Sequence, residues 1–414
     1  MSAIKPKLRS SIVAALVVLG TFGALALLTA GTARASSPCS ITVHTENVAN
    51  NAVQSAINTY PRGSICVGAG YFPEQLTISS PHTVLKGAGA ASTVIEPASV
   101  TFNTYDFDSA PSPHALLSTL TPAAATILVD NTSAVTVEDL QVNGAGGSSS
   151  FSGCGDNYYG VDFENPSGSL KSSQVQNVEL PAVDFGCQDG LAVYAYNGFY
   201  YSGTGSAQTV SITSTLIASY DKNGVTCDDP LETCTVSSNT INGAGGIPAT
   251  AQNGIQVAYG AKGTVKSNTV YGDNFTGTTA VNDWCGAGFA AAGILLFDPG
   301  TGTAVSFNQL SGNQLGMAYV DDGVSAMGYA GPEHVTISHN TVAVSTGYGI
   351  VANGAPGGGD AVTIHSNTVN DEFASDPALW GAPGILVDTR TFTITGNHIR
   401  GSSSASGSSN GASQ

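Results

Sequence analysis

Basic residues are scarce in this 414-residue chain, which has 12 Lys and Arg against 29 Asp and Glu, and no arginine lies between Arg62 and Arg390. So acidic a surface repels nucleic acid and anionic membranes, which excludes a nucleic-acid partner. Charged residues of all kinds make up only 10% of the chain, and methionine is nearly absent, with three in all. Met317 and Met327 form no Met/His/Cys cluster suited to copper, and no Cys/His spacing resembles a zinc site. What is abundant is glycine, with 51 residues, alongside a 42% apolar fraction. That balance fits a chain of turns and short strands better than a helical one.

Lys5, Lys7 and Arg9 precede an uncharged, mostly apolar run from Ile12 to Ala30, and Ala33-Arg34-Ala35 follows in cleavage spacing. Residues 1–35 are therefore expected to be an export signal cut after Ala35, with an uncleaved anchor as the alternative. Losing the four bases of that segment takes the formal charge from −17 to −21. No second apolar stretch is long enough to span a bilayer, so the mature chain is expected to be secreted or held at the cell surface without crossing a membrane. Residues 36–400 read as one domain. Residues 401–414 are Gly, Ser, Ala and Asn with one Gln, and are expected to be a disordered tail.

All seven cysteines lie in the exported part, where disulfides form. Cys227 with Cys234, Cys39 with Cys66 and Cys154 with Cys187 are candidate pairs, with Cys285 left over. Buried, unlinked thiols are the alternative for any of these pairs.

One phrase, Val-Thr-Ile-x-x-Asn-x-Val, recurs down the chain. It appears at Cys234 to Ile241, Gly263 to Val270, Thr303 to Leu310, Val335 to Val342, Val362 to Val369 and Phe392 to Ile399, with weaker copies beginning at Val135, Gly168 and Val210. A second phrase, Gly-Ile-x-Val, alternates with it at Gly160, Gly224, Gly254, Gly293, Gly316, Gly349 and Gly384. Each is a short alternating run of β-branched residues bounded by Gly or Asn, and so reads as a strand. The closest copies, at Val210 and Cys234, are too near each other for a strand-helix-strand unit but far enough apart for one coil of three strands. Stacked coils would form parallel sheets around an aliphatic interior. Asn239, Asn268, Asn308, Asn340, Asn367 and Asn397 hold one place in successive copies and predict an Asn ladder at a corner, since Asn tolerates left-handed backbone and its amides stack.

These copies, with an opening region of Ala52 to Ile57, Val67 to Glu74 and Val84 to Gly87, resemble the pectin-lyase-like right-handed β-helix superfamily. The resemblance covers residues 40 to 400. It implies an all-β fold, a single-stranded right-handed parallel β-helix with an N-terminal cap. It does not imply one reaction, because the scaffold hosts lyases, hydrolases, esterases, epimerases and binders.

Outward or terminal places on the Gly-Ile-x-Val strand carry Asp162, Glu164, Asp228, Asp229, Asp298, Asp321, Asp322 and Asp388, which stacking would align as an acidic stripe. Paired carboxylates can hydrolyse glycosides, and clustered ones can hold calcium. The catalytic candidates are Asp228, Asp229, Asp298, Asp321 and Asp322. Asp298, Asp321 and Asp322 end strands of consecutive coils and form the candidate calcium site. Long excursions beside this strand carry Tyr158, Tyr159, Tyr200, Tyr201, Trp284 and Trp380, which with Lys222 are the candidates for contact with a sugar chain. Solvated carboxylates and loop-packing rings are the plainer readings of the same residues.

Motifs of individual families fit poorly. There is no arginine base as in pectate lyases. Asp228-Asp229 and Asp321-Asp322 resemble the first element of polygalacturonases, without the Gly-His-Gly or Arg-Ile-Lys that should follow. Phe297-Asp298-Pro299 lacks the histidine of mannuronan epimerases, and Val183-Asp184-Phe185-Gly186 lacks the partners found in pectin methylesterases. The expected function is binding and cleavage of a neutral or calcium-bridged polysaccharide, because a polyuronate would want cationic partners. The alternative is a non-catalytic surface or periplasmic β-helix.

Overall fold

The computed structural model describes residues 38–44, 51–106, 121–151, 157–165, 167–187, 189–197, 206–277, 280, 290–321, 333–343, 345–354, 361–371, 384–388 and 392–401. The chain forms a right-handed parallel β-helix of three sheets, all parallel except for the short strand Thr104–Asp106. Sheet 1 has twelve strands, from Ile41–Val43 to Phe392–Thr395, and contains the Val-Thr-Ile phrase. Sheet 2 has eleven, from Gly70–Phe72 to His398–Gly401, and contains the segment after each ladder Asn. Sheet 3 has eleven, from Leu76–Ile78 to Ile385–Asp388, and contains the Gly-Ile-x-Val phrase.

The register places like on like. Val236 pairs with Val265, Ile241 with Val270, and Ile255 with Ile294. These side chains are fully buried in one continuous core. Gly254 shows why its place in sheet 3 favours glycine: an added Cβ would stand 2.6 Å from the Gly293 carbonyl oxygen of the next coil.

The corner asparagines form a hydrogen-bonded column. Each Nδ2 from Asn239 to Asn367 donates to the next Oδ1 at 2.9–3.0 Å, and the second amide hydrogen goes to a backbone carbonyl of the coil before, as from Asn308 to Val265. Left-handed backbone falls elsewhere than expected. It belongs to the preceding residue, Ser238, Ser267, Phe307, His339 and Ser366, each with φ near 58°. The Asn is selected for its amide, and the turn strain sits on a neighbour of almost any type. Phe307 stacks on His339, and His339 meets His365 edge-on, along the outside of this corner.

The helix Ala52–Thr59 buries Val53, Ala56 and Ile57 and caps one end. Asn51 makes no side-chain cap, and the Glu74 carboxylate instead accepts the Val53 and Gln54 amides at 3.0 and 2.9 Å. The Gln54 side chain then pairs with both backbone groups of Thr77 on the edge strand of sheet 3, supplying the partner that an edge otherwise lacks. Cys39–Cys66 and Cys227–Cys234 are disulfides. Cys187 is also disulfide-bonded, while Cys154 and Cys285 lie outside the described residues.

Candidate functional site: the strand ends of sheet 3

Along the strands of sheet 3 two or three side chains enter the core and the others face outward. The outward side is buried as well, in two apolar clusters. One gathers Leu128, Tyr159, Leu191, Tyr194 and Tyr196, the other Leu295, Leu315, Ala318, Val320 and Val351. Between them lies a polar band. Asn253 Nδ2 donates to Asn223 Oδ1 at 3.0 Å, and Asn223 Nδ2 donates to Gln256 Oε1 at 3.0 Å.

The expected continuous acidic stripe is not formed. In register, the last outward column runs Asp130, Glu164, Tyr196, Asp228, Ala258, Phe297, Val320 and Asn353, and the Asn353 backbone pairs with Asp388. Tyr196 separates Glu164 from Asp228, and the Ala258-Tyr259 coil separates Asp228-Asp229 from Asp298. A single strand shows which residues point outward but not which of them meet across coils, so the carboxyls resolve into three groups.

The first group is Asp130, Asp162 and Glu164. Glu164 accepts the Thr104 hydroxyl at 3.0 Å, and burial, with the Asp130 charge adding, raises its carboxyl to about 7. Asp162 is fully buried, and burial together with Glu164 and Asp130 pushes it well above the ordinary carboxylate range. Asp130 accepts hydrogen bonds from Asn131 and Ser79.

The second group, Asp228 and Asp229, is buried in the tight turn into Glu232–Ser237, which the Cys227–Cys234 disulfide closes; Asp229 adopts φ 83°. Glu232, nearby and buried, is raised by desolvation and by Asp229.

The third group joins consecutive coils. Asp298 and Asp321 come together with Glu333, their carboxylate oxygens all within 4.8 Å of one another. Asp298 N donates to Val320 O at 2.8 Å, and the core Tyr319 hydroxyl donates to Glu333 Oε2 at 2.7 Å. An oxygen-only set of this kind suits calcium. Asp322 lies outside the described residues, so the third carboxylate here is Glu333, which the sequence reading missed.

The aromatic candidates need correction. Tyr158 is a core residue, not a ring on a loop, because it enters the interior with Val161 and Phe163 and its hydroxyl meets Thr126 Oγ1 at 2.8 Å. Tyr159 faces outward but is buried against Tyr194, their centroids 4.9 Å apart. Lys222 is half-buried, and its ammonium donates to Ala251 O at 2.6 Å. Tyr200, Tyr201, Trp284 and Trp380 lie outside the described residues. Asp130 was also missed, although Asp130-Asn131 and Glu164-Asn165 repeat one acid-Asn pair at matching strand ends.

No protein-family model matches the chain, and no curated protein matches it. Among solved structures it is similar to a mannuronan C-5 epimerase A-module from Azotobacter vinelandii, at 13% identity and TM-score 0.45 over 84% of this chain and 91% of that one. It is also similar to a lacto-N-biosidase from Eubacterium ramulus, at 16% identity and TM-score 0.49 over 84% of this chain and 64% of that one. An endo-xylogalacturonan hydrolase from Aspergillus tubingensis aligns at 12% identity and TM-score 0.45 over 88% and 93%. The chain thus spans a little under two thirds of the lacto-N-biosidase.

Proposed function

We propose that this is a secreted protein that binds a polysaccharide along the strand ends of sheet 3 and cleaves it there with carboxyl groups. The observation that carries the reading is the gathering of three clusters of carboxyl groups, Asp130/Asp162/Glu164, Asp228/Asp229 and Asp298/Asp321 with Glu333 beside them, towards the same end of the strands of one sheet. Sugar hydroxyls donate hydrogen bonds to such carboxylates, whereas a polyuronate would be repelled unless cations bridged it. The ligand is therefore a neutral or calcium-bridged glycan. Calcium at Asp298, Asp321 and Glu333, with Asp322 adjoining in sequence, belongs to this reading as a structural or bridging ion. Residues 1–35 direct export, and the Gly/Ser-rich segment beyond Gly401, which ends the last strand of sheet 2, is a tail.

The test uses protein secreted from the full chain, assayed for retardation in polysaccharide gels and for release of reducing ends. The panel is xylan, glucomannan, laminarin, arabinogalactan and calcium-gelled pectin. Binding with cleavage is the expected result. Binding alone would favour an accessory or surface binder, and neither binding nor cleavage would sink the reading.

A further inference from the structure

Glu164 and Asp130 are directly paired on adjacent coils, so their backbones lie about 4.8 Å apart and both side chains leave the same face of sheet 3. Their surroundings differ. Glu164 stands between Asp130 and Tyr196 in its column, beside the Tyr194 and Tyr196 rings, which stack at 5.9 Å, and has one donor, the Thr104 hydroxyl. Asp130 has polar company, accepting from the Asn131 amide and, at 3.5 Å, from the Ser79 hydroxyl. An apolar wall favours a carboxyl that keeps its proton, as Glu164 does.

A second, separate observation points the same way. Asp162, two residues before Glu164 on the same outward side, is 1% exposed, and neither of its oxygens has a hydrogen-bond partner. The Thr104 hydroxyl serves this cluster and donates to Glu164 at 3.0 Å, while the charges of Glu164 and Asp130 both act on Asp162. A fold that desolvates such a side chain gains no stability from it. The three carboxyl groups also fail to converge as metal ligands do, unlike those of Asp298, Asp321 and Glu333.

We propose that Glu164 and Asp130 are the acid/base and the nucleophile of a retaining glycoside hydrolysis, with Asp162 as a positioning residue. The proposal rests on the polysaccharide reading above and names the residues that would perform the reaction. The Glu164 carboxyl gives its proton to the glycosidic oxygen as the bond from that oxygen to the anomeric carbon breaks, and an Asp130 oxygen bonds to the anomeric carbon. Water then attacks that carbon, giving a proton to the Glu164 carboxylate, and the bond to Asp130 breaks. The net change is one glycoside and one water converted to two hydroxyl products. Retention is the outcome expected of side chains that leave adjacent coils one strand spacing apart, since carboxyls about 5 to 5.5 Å apart leave no room for a water between base and sugar.

Glu164 is faced by Asp130 from the coil before, Asp162 from its own strand, Thr104 from the antiparallel strand, and Tyr194 and Tyr196 from the coil after. Its proton is therefore lost near pH 7, and cleavage should fall on the alkaline side with that midpoint.

The experiment compares the parent protein with Glu164→Gln and Asp130→Asn on the polysaccharide panel. It reads rate against pH, the anomer first released by proton NMR, and thermal melting as the check on folding. Support is a retained anomer, an alkaline limb near pH 7 in the parent, and a loss of roughly 100-fold or more in both variants at unchanged melting temperature. If a variant does not fold, Asp130→Gly with added azide replaces it, and a glycosyl azide product supports the nucleophile. Cleavage with inversion, or variants within tenfold of the parent, would overturn the pair and leave the polysaccharide reading standing. Binding by the parent without cleavage would do the same, whereas neither binding nor cleavage would overturn both.

Discussion

Asp273 occupies the place that Asn313 holds one coil later, and the comparison shows what a carboxyl loses there. Asn313 Oδ1 accepts the Asp273 amide at 3.0 Å, and Asn313 Nδ2 donates to Val270 O at 3.2 Å. Asp273 accepts the Tyr220 hydroxyl on Oδ1 at 2.6 Å, but its Oδ2 is buried with no partner. Burial lifts this carboxyl well above its ordinary range, so it stays protonated in the folded chain after the unfolded chain has ionised. Each pH unit of that interval costs about 1.4 kcal/mol. Asp273→Asn keeps the acceptor for Tyr220 and adds a donor. The variant should match the parent near pH 4 and be more stable by at least about 1 kcal/mol at pH 8, as urea unfolding at the two values would show. Equal midpoints at pH 8 would mean that the carboxyl finds a partner.

At the scale of strands and turns, Asp298 and Asp321 end neighbouring coils, and Glu333 enters the next strand of sheet 1 beside them. Three carboxylates so close repel one another, and a bound cation converts the repulsion into ligation. Millimolar calcium should raise the melting temperature relative to chelator by several degrees, and Asp321→Asn should reduce that difference. Identical melting in both buffers would return the cluster to a surface role.

Pairing Asp298 with Asp321 was legible from the sequence because both follow the same repeated phrase. Glu333 was not, since it lies beyond a long excursion that no repeat positions. The strands themselves were legible because Val-Thr-Ile and Gly-Ile-x-Val alternate cleanly. Tyr158 was misread because Tyr158, Val161 and Phe163 are all core residues, a phase shift at Gly160 that strict alternation does not show. The acidic residues were individually found, but their grouping depends on coil-to-coil register, and tyrosine or alanine at positions 196 and 258 breaks the column.

Across the whole molecule, Asp162, Asp221, Glu232 and Asp273 are buried carboxyls, and Glu164 is partly buried. Desolvation raises all of them, Glu164 to about 7 and Asp221 to about 8. A carboxyl raised on folding binds a proton that the unfolded chain releases first, so its contribution is full below about pH 4 and is lost as pH climbs towards 7 or 8. Glu138 acts in the opposite sense. Burial works against its charge, but hydrogen bonds from Lys171 and Lys86 outweigh that and lower it, so its contribution is lost only in stronger acid. The raised groups outnumber it. Stability should therefore be greatest in mild acid and fall by a few kcal/mol between pH 5 and 8, whereas most domains hold a plateau there. Denaturation midpoints that rise over that interval would contradict the burial of these carboxyls without cationic partners.

The stacking of strand on identical strand has a mechanical consequence. Hydrogen bonds between neighbouring coils run along the axis of the stack, while the covalent chain winds around it. Tension applied between the two termini therefore peels the bonds of one coil at a time instead of shearing a whole sheet at once. Since each coil is held chiefly by its neighbours, the resistance should come as a series of small, similar steps. The Cys39–Cys66 link ties the first two strands of sheet 1 against that peeling, and the Cys227–Cys234 link withholds its seven-residue span from the length released by its coil.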